Sequence, residues 1–183
     1  DDNGEHFYRF MKNHHPEQEC YFALNKNSHD WPRLEKEGFN LLDFGSRKYE
    51  AKLRKASKII SGHFDEYVQN YFGDEYEHSK KFIFLQHGVI QNNLSRWLNY
   101  KRNLALFITS TPDEYASIAL DGTPYHVGQK EVVLTGLARH DKLLAGNQTK
   151  NKIILIMPTW RANSIGKSTK TGNAREFNEN FMN

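Results

Sequence analysis

Short apolar runs recur along the chain, separated by polar stretches with helical spacing. The runs are CYFAL (20–24), FNLLDF (39–44), KIISG (58–62), FIFL (82–85), LALFIT (104–109), EVVLTG (131–136) and IILIMP (153–158). Each is brief and rich in β-branched or aromatic residues, which predicts strands. Phe82–Leu85 is unbroken, as expected of a strand buried on both faces. Between the runs, Asn3 to about Asn13 reads as a helix with Phe7, Phe10 and Met11 on its apolar face. Asp30-Trp31-Pro32 starts a brief second helix that Gly38 ends. A charged helix from Ser46 to Ala56 touches the core through Tyr49, Leu53 and Ala56. Phe64–Phe72, the stretch after Ser110-Thr111-Pro112, and His140–Leu144 read as further helices. Strands alternating with helices predict βαβ units, a mostly parallel sheet and right-handed crossovers, hence an α/β fold. Residues 145–152, AGNQTKNK, have linker composition, so a domain boundary is expected near residue 147. Ser164–Asn173 reads as a mobile loop and AREFNENFMN as the start of a helix.

Composition narrows the function classes. The chain has 183 residues, 38% of them hydrophobic and 13% aromatic, which suits packed domains rather than disorder. Its net charge of +3, from 25 basic and 22 acidic residues, leaves no polybasic footprint, so no nucleic-acid partner is expected. A mild basic excess suits anionic substrates or an anionic membrane surface. Cys20 is the single cysteine, so no intramolecular disulfide forms and a reducing cytoplasm is expected. No apolar run approaches the roughly 18 residues of a spanning helix. The chain opens on DDNGEH without Met and closes within a polar segment, so a piece of a longer protein is expected.

Candidate chemistry gathers where predicted strands end, the edge at which open α/β sheets bind ligands. Phe82–Leu85 delivers Gln86, His87 and Gly88. His87 is the natural proton-transfer group near neutral pH, and Gly88 suits a tight turn or close backbone approach. LALFIT delivers Thr109, Ser110 and Thr111. EVVLTG leads to Arg139, His140 and Asp141, and IILIMP to Thr159, Trp160 and Arg161. Arg139 and Arg161 suit bidentate bonds to phosphate oxygens. Plainer roles stand beside these. Ser110 also fits a helix cap, Asp141 a cap or a partner for Arg139, and Trp160 packing at a domain seam. Arg161 also fits a solvated charge, and His63 a structural residue. No histidine has metal-ligand spacing to a second ligand, so neither a metal nor another cofactor is expected. GxGxxG and GxSxG are absent, and IGKST lacks the strand and first glycine of a phosphate-binding loop.

FLQHGV, LFITSTPDEY, VVLTGLARHDKLL and IILIMPTWR, in this order and spacing, resemble the CDP-glycerol glycerophosphotransferase family of teichoic acid and capsule polymerases. The resemblance spans nearly the whole chain. It implies a GT-B architecture of two Rossmann-like domains, each a parallel sheet with helices on both faces. Residues 1–147 would form the acceptor-side domain, lacking its first strand, and 148–183 the start of the nucleotide-binding domain. It implies transfer of a polyol phosphate from a CDP-polyol to a hydroxyl of a teichoic acid or capsular polymer, with release of CMP. His87 maps onto the family's base. Arg139 and Asp141 map onto the family's arginine-aspartate motif and Thr159, Trp160 and Arg161 onto its PTWR motif, as substrate contacts; Gln86, Gly88 and Ser110 are expected to join them from their place at the strand ends. A peripheral position on the inner membrane face is implied, with a contribution from the basic stretch Lys150–Lys170. The sequence departs at Gln91, where a lysine is common, and at His140, where asparagine is frequent. The family's later motifs are absent, so this stretch is expected to be inactive alone. A GT-B glycosyltransferase using a nucleotide sugar and a non-enzymatic module of a capsule-assembly complex remain as alternatives.

Overall fold

The computed structural model describes residues 2–65, 68, 71–73, 80–101, 103–147, 152, 154 and 156, together with the backbone of 165–168 and 175–177. The chain divides into two compact units, Asp1–Asn147 and Gln148–Asn183.

The first unit begins with α1 (Asn3–His14), β1 (Phe22–Leu24), α2 (Trp31–Lys36), β2 (Leu41–Asp43) and α3 (Arg47–Lys55). There follow β3 (Lys58–Ser61), β4 (Lys81–Phe84), α4 (Ser95–Leu98), β5 (Leu104–Thr109), α5 (Pro112–Ala119), β6 (Val132–Leu134) and α6 (Ala138–Ala145). Strands β1 and β2 form a parallel pair, and β3-β4-β5-β6 form a parallel sheet in that order. The unit is therefore α/β and Rossmann-like. Neighbouring strands lie parallel, so their C-terminal ends share one edge.

Local chemistry explains the element ends. Ser46 accepts a hydrogen bond from the Tyr49 amide and so caps α3. At the other end of α3, Lys80 is buried and donates to the Arg54 and Ala56 carbonyls at 3.1 and 2.6 Å. A cation there satisfies orphan carbonyls and suits the helix dipole. Thr111 caps α5 through the Glu114 amide, and Pro112 occupies its first turn. The cap is thus Thr111 rather than Ser110.

The sheet's core is Phe64, Phe82, Phe84, Leu98, Phe107, Ile118 and Val132. Phe64 stacks on Phe82 with ring centroids 4.0 Å apart. A second cluster joins Tyr8 of α1 to Leu34 and Phe39. Two expectations shift here. The run in β4 is fully buried at Phe82 and Phe84 but only half-buried at Ile83, so one face is more deeply covered than the other. Helix α1 buries Asn3, Glu5 and Tyr8, while Phe10 is exposed. Its inward face is set by polar partners waiting on neighbouring elements, which apolar spacing alone does not reveal.

In the second unit β7 (Ile165–Ser168) pairs antiparallel with β8 (Arg175–Phe177). These residues were expected as a mobile loop and a helix start. Pairing between two strands supplies backbone partners that local propensity cannot foresee. The expected strand Ile153–Pro158 falls mostly outside the described residues, and its described positions, Ile154 and Ile156, are exposed and unassigned to a strand. Of the expected helix Phe64–Phe72, residues 66, 67, 69 and 70 lie outside the described residues, and of the rest only Val68 is helical. No described helix is long and apolar enough to cross a membrane.

Candidate functional site

The sheet's order brings the ends of β3, β4, β5 and β6 side by side, and the start of α1 lies against them. Asn3 is fully buried. Its Nδ2 donates to the Gln86 carbonyl at 2.7 Å, and its Oδ1 accepts from the Arg139 amide at 3.1 Å. One side chain therefore ties the end of β4 to the first turn of α6. Asp2 beside it caps α1 and accepts from Arg139 Nη1 at 3.0 Å. Gly62 lies so near that an added Cβ would stand 3.2 Å from the Gln86 carbonyl oxygen and 3.3 Å from Asp2 Oδ2. The close backbone approach anticipated at Gly88 is thus made by Gly62.

Gln86 carries the strain of this edge. Its φ is +60°, a left-handed conformation that costs a residue other than glycine or asparagine about 1–2 kcal/mol. The side chain is 2% exposed. Its Oε1 accepts from the His87 amide at 3.1 Å, while its Nε2 is buried without a hydrogen-bond partner. Gly88 shows no positive φ, and an added Cβ there would meet nothing within 4 Å. The unusual backbone therefore falls on Gln86, and the glycine after His87 leaves open space.

His87 is exposed, and its Nδ1 lies 3.1 Å from the Gly62 carbonyl. A carbonyl only accepts, so in the neutral ring Nδ1 carries the proton and Nε2 keeps its lone pair. The His63 ring stacks on His87, with centroids 5.1 Å apart and planes 19° from parallel. His63, read from sequence as structural, is a second imidazole of the site.

The turn after His87 is held from the helix that follows β5. Glu114, 3% exposed, accepts from the Ile90 amide through Oε1 and from the Ser110 amide through Oε2, each at 2.7 Å. Ser110 Oγ also donates to Oε2 at 3.3 Å. Leu94 is fixed by its amide donating to Tyr125 at 2.9 Å. Between these anchors lies a cavity of about 330 Å³, bordered by Phe84, Gln86, His87 and Trp97 among others.

The structure thus gathers Gln86, His87, Gly88, Ser110 and Arg139 along one edge. Asp141 is exposed on α6 and makes no bond to Arg139, whose carboxylate partner is Asp2. Helix α6 has no side-chain cap. Thr159, Trp160 and Arg161 lie outside the described residues. Among the described residues no group of three or more His, Cys, Asp or Glu side chains is placed to hold a metal ion.

A family model described as CDP-Glycerol:Poly(glycerophosphate) glycerophosphotransferase matches residues 1–182. The chain belongs to this family. It is 33% identical over 189 residues to the "Minor teichoic acid biosynthesis protein GgaB" of Bacillus subtilis (strain 168). That alignment covers 99% of the chain and 20% of GgaB, so the chain spans about a fifth of the relative's length. No solved structure matches it. The resemblance carried by the four motifs is borne out.

Family motifs alone do not name every group at this edge. Asp2 and Asn3 read from sequence only as a helix start, and no local signal connects them to Gln86 or Arg139. Glu114 did have a signal. Thr111-x-x-Glu114 is capping-box spacing, although this glutamate reaches past the cap to Ser110 and Ile90.

Proposed function

We propose that the chain forms part of an enzyme that moves a polyol phosphate from a CDP-polyol to a hydroxyl of a teichoic acid or capsular polymer. His87 acts as its base. The observation that carries this reading is the fixed ring: Gly62 holds the Nδ1 proton, so Nε2 at the strand edge is the atom able to receive one. Nε2 takes the acceptor's hydroxyl proton as that oxygen bonds to the phosphorus bearing the polyol. The bond from that phosphorus to the bridging oxygen breaks, and CMP leaves with the oxygen. Phosphoryl transfer asks mostly for positioning and charge stabilisation. Arg139, oriented by Asp2 and by the Asn3 clamp on its amide, supplies positive charge along this edge.

The reading extends to architecture. Residues 1–147 serve as the acceptor-side domain of a GT-B enzyme and 148–183 begin its nucleotide-binding domain, with Thr159, Trp160 and Arg161 contributing donor contacts. Asp141, exposed on α6, contacts substrate rather than its own helix. The enzyme works peripherally on the inner membrane surface.

CMP release by the purified protein in its full natural length tests this, with CDP-glycerol, CDP-ribitol and a UDP-sugar as donors. Release from a CDP-polyol is expected to fall by about 10²–10⁴-fold in His87→Ala. Turnover with the UDP-sugar alone would replace the chemistry while keeping the fold.

A further inference from the structure

Two successive residues after β3 meet the His87 ring. The Gly62 carbonyl accepts the Nδ1 proton at 3.1 Å, and the His63 ring lies against the imidazole, with centroids 5.1 Å apart and planes 19° from parallel. Among the described residues no hydrogen bond joins the two rings, so the contact is face to face and offers no path for a proton.

His63 is exposed, yet the backbone that carries it is fixed on both sides. Its own amide donates to Ser61 Oγ at 3.0 Å. Phe64, the next residue, is 1% exposed and stacks on Phe82 with centroids 4.0 Å apart. Before it, Gly62 lets the segment close on β4, since an added Cβ would stand 3.2 Å from the Gln86 carbonyl oxygen. Asp65 Oδ2 lies 3.9 Å from His63 Nδ1, too far for a hydrogen bond. The ring is thus presented to His87 by a short segment anchored in strand and core.

The two contacts restrict different motions of His87. Rotation about the bond to a histidine ring is soft and roughly two-fold. The Gly62 carbonyl chooses between the two flips, because Nδ1 can donate to it and the ring carbon that would replace Nδ1 cannot. One hydrogen bond leaves the ring free to swing through intermediate angles, and a flat neighbour against its face removes that swing. We propose that His63 is a positioning residue for His87: its ring holds the imidazole plane so that Nε2 keeps one direction at the strand edge. The catalytic consequence rests on the transferase reading above; the hold on the ring does not.

Crystal structures and kinetics of the protein in its full natural length test the inference. In His63→Ala the His87 ring is expected to leave its plane or to take more than one orientation, while β3 and Phe64 stay in place. With a CDP-polyol as donor, kcat for CMP release is expected to fall about tenfold in this variant, with KM changed by less than about twofold, because a displaced group costs rate rather than donor binding. His63→Phe supplies a flat ring without nitrogen, and is expected to restore the single orientation and most of kcat. The inference is overturned if His87 keeps its wild-type orientation in His63→Ala, or if kcat is unchanged there. Equal losses in His63→Ala and His63→Phe also overturn it, since the imidazole's nitrogens and not its face would then matter. So does a loss of kcat that only follows a smaller folded fraction. The two readings fail differently. A wild-type protein that releases no CMP from any CDP-polyol removes the transferase, and the ring orientation in His63→Ala still decides the hold. Turnover that His63→Ala leaves intact removes the role of His63 and keeps the transferase.

Discussion

Two buried polar side chains near the first helix are treated in opposite ways. Glu5, 4% exposed, has both oxygens engaged: Arg33 forks onto Oε1 and Oε2 at 2.7 and 3.0 Å, and Arg9 also donates to Oε1. Burial alone would raise its carboxyl, but the arginine bonds outweigh it and hold the pKa at about 2. Glu37 and Asp30 extend the network on the same arginines. Gln86, equally buried, keeps an unpartnered Nε2 on a strained backbone. The first arrangement is complete within the fold, and the second leaves a buried donor unsatisfied. The contrast separates a group that stabilises from a group that costs.

The sharpest way to break the comparison is at Glu5. Glu5→Ala leaves two arginines facing each other and should cost about 3 kcal/mol in urea unfolding, the lower end for a broken buried pair because both arginines remain partly exposed. The same cluster has a pH signature. Its folded pKa lies below the ordinary 4.5, so its stabilisation is present above that value and disappears as pH falls toward about 2. Wild-type stability should drop more steeply across that window than Glu5→Gln, whose curve lacks this titration. Parallel curves would show that the Glu5 charge contributes nothing to folding.

Asn3→Ala comes next. It removes two buried bonds and should cost about 2 kcal/mol, since the Gln86 carbonyl and Arg139 amide both lose a partner. Amide exchange should quicken at Arg139, whereas Ala at exposed His87 should change stability by less than about 0.5 kcal/mol. Glu114→Gln is smaller, about 1–2 kcal/mol, because one backbone N–H then faces an NH₂ group. Faster exchange of the Ile90 or Ser110 amide, with the core unaffected, is the expected readout. Smallest of all is Gln86→Gly. It relieves the positive φ, by about 1 kcal/mol, and gives up the bond from the His87 amide. The melting temperature should hardly move. A loss beyond about 2 kcal/mol would make Gln86 a structural residue like Glu5, and the contrast would collapse.

Much of this arrangement was legible beforehand. LALFIT became β5 with the expected bounds, a charged helix followed Ser46, and Pro112 opened α5 behind a threonine cap. Each depends on neighbours a few positions away, where spacing and propensity act directly. Polar groups at successive parallel strand ends were likewise expected to meet, and Gln86, His87, Ser110 and Arg139 lie on one edge. Less legible were contacts closed across long stretches of chain. His63 meets His87 only because β3 and β4 are neighbours in the sheet. The second unit's β7 and β8 were misread because pairing overrode weak local preference.

The sequence by itself determined the alternation of elements, their caps, the α/β class and the family, since these live in local pattern and in motifs read in order. Tertiary structure alone decided which groups are satisfied. Asn3 reaches Gln86 across 83 positions and Arg139 across 136. No periodicity encodes such a bond. The same closure left Gln86 Nε2 without a partner, because hydrogen bonding depends on distances of about 3 Å that only the folded chain sets.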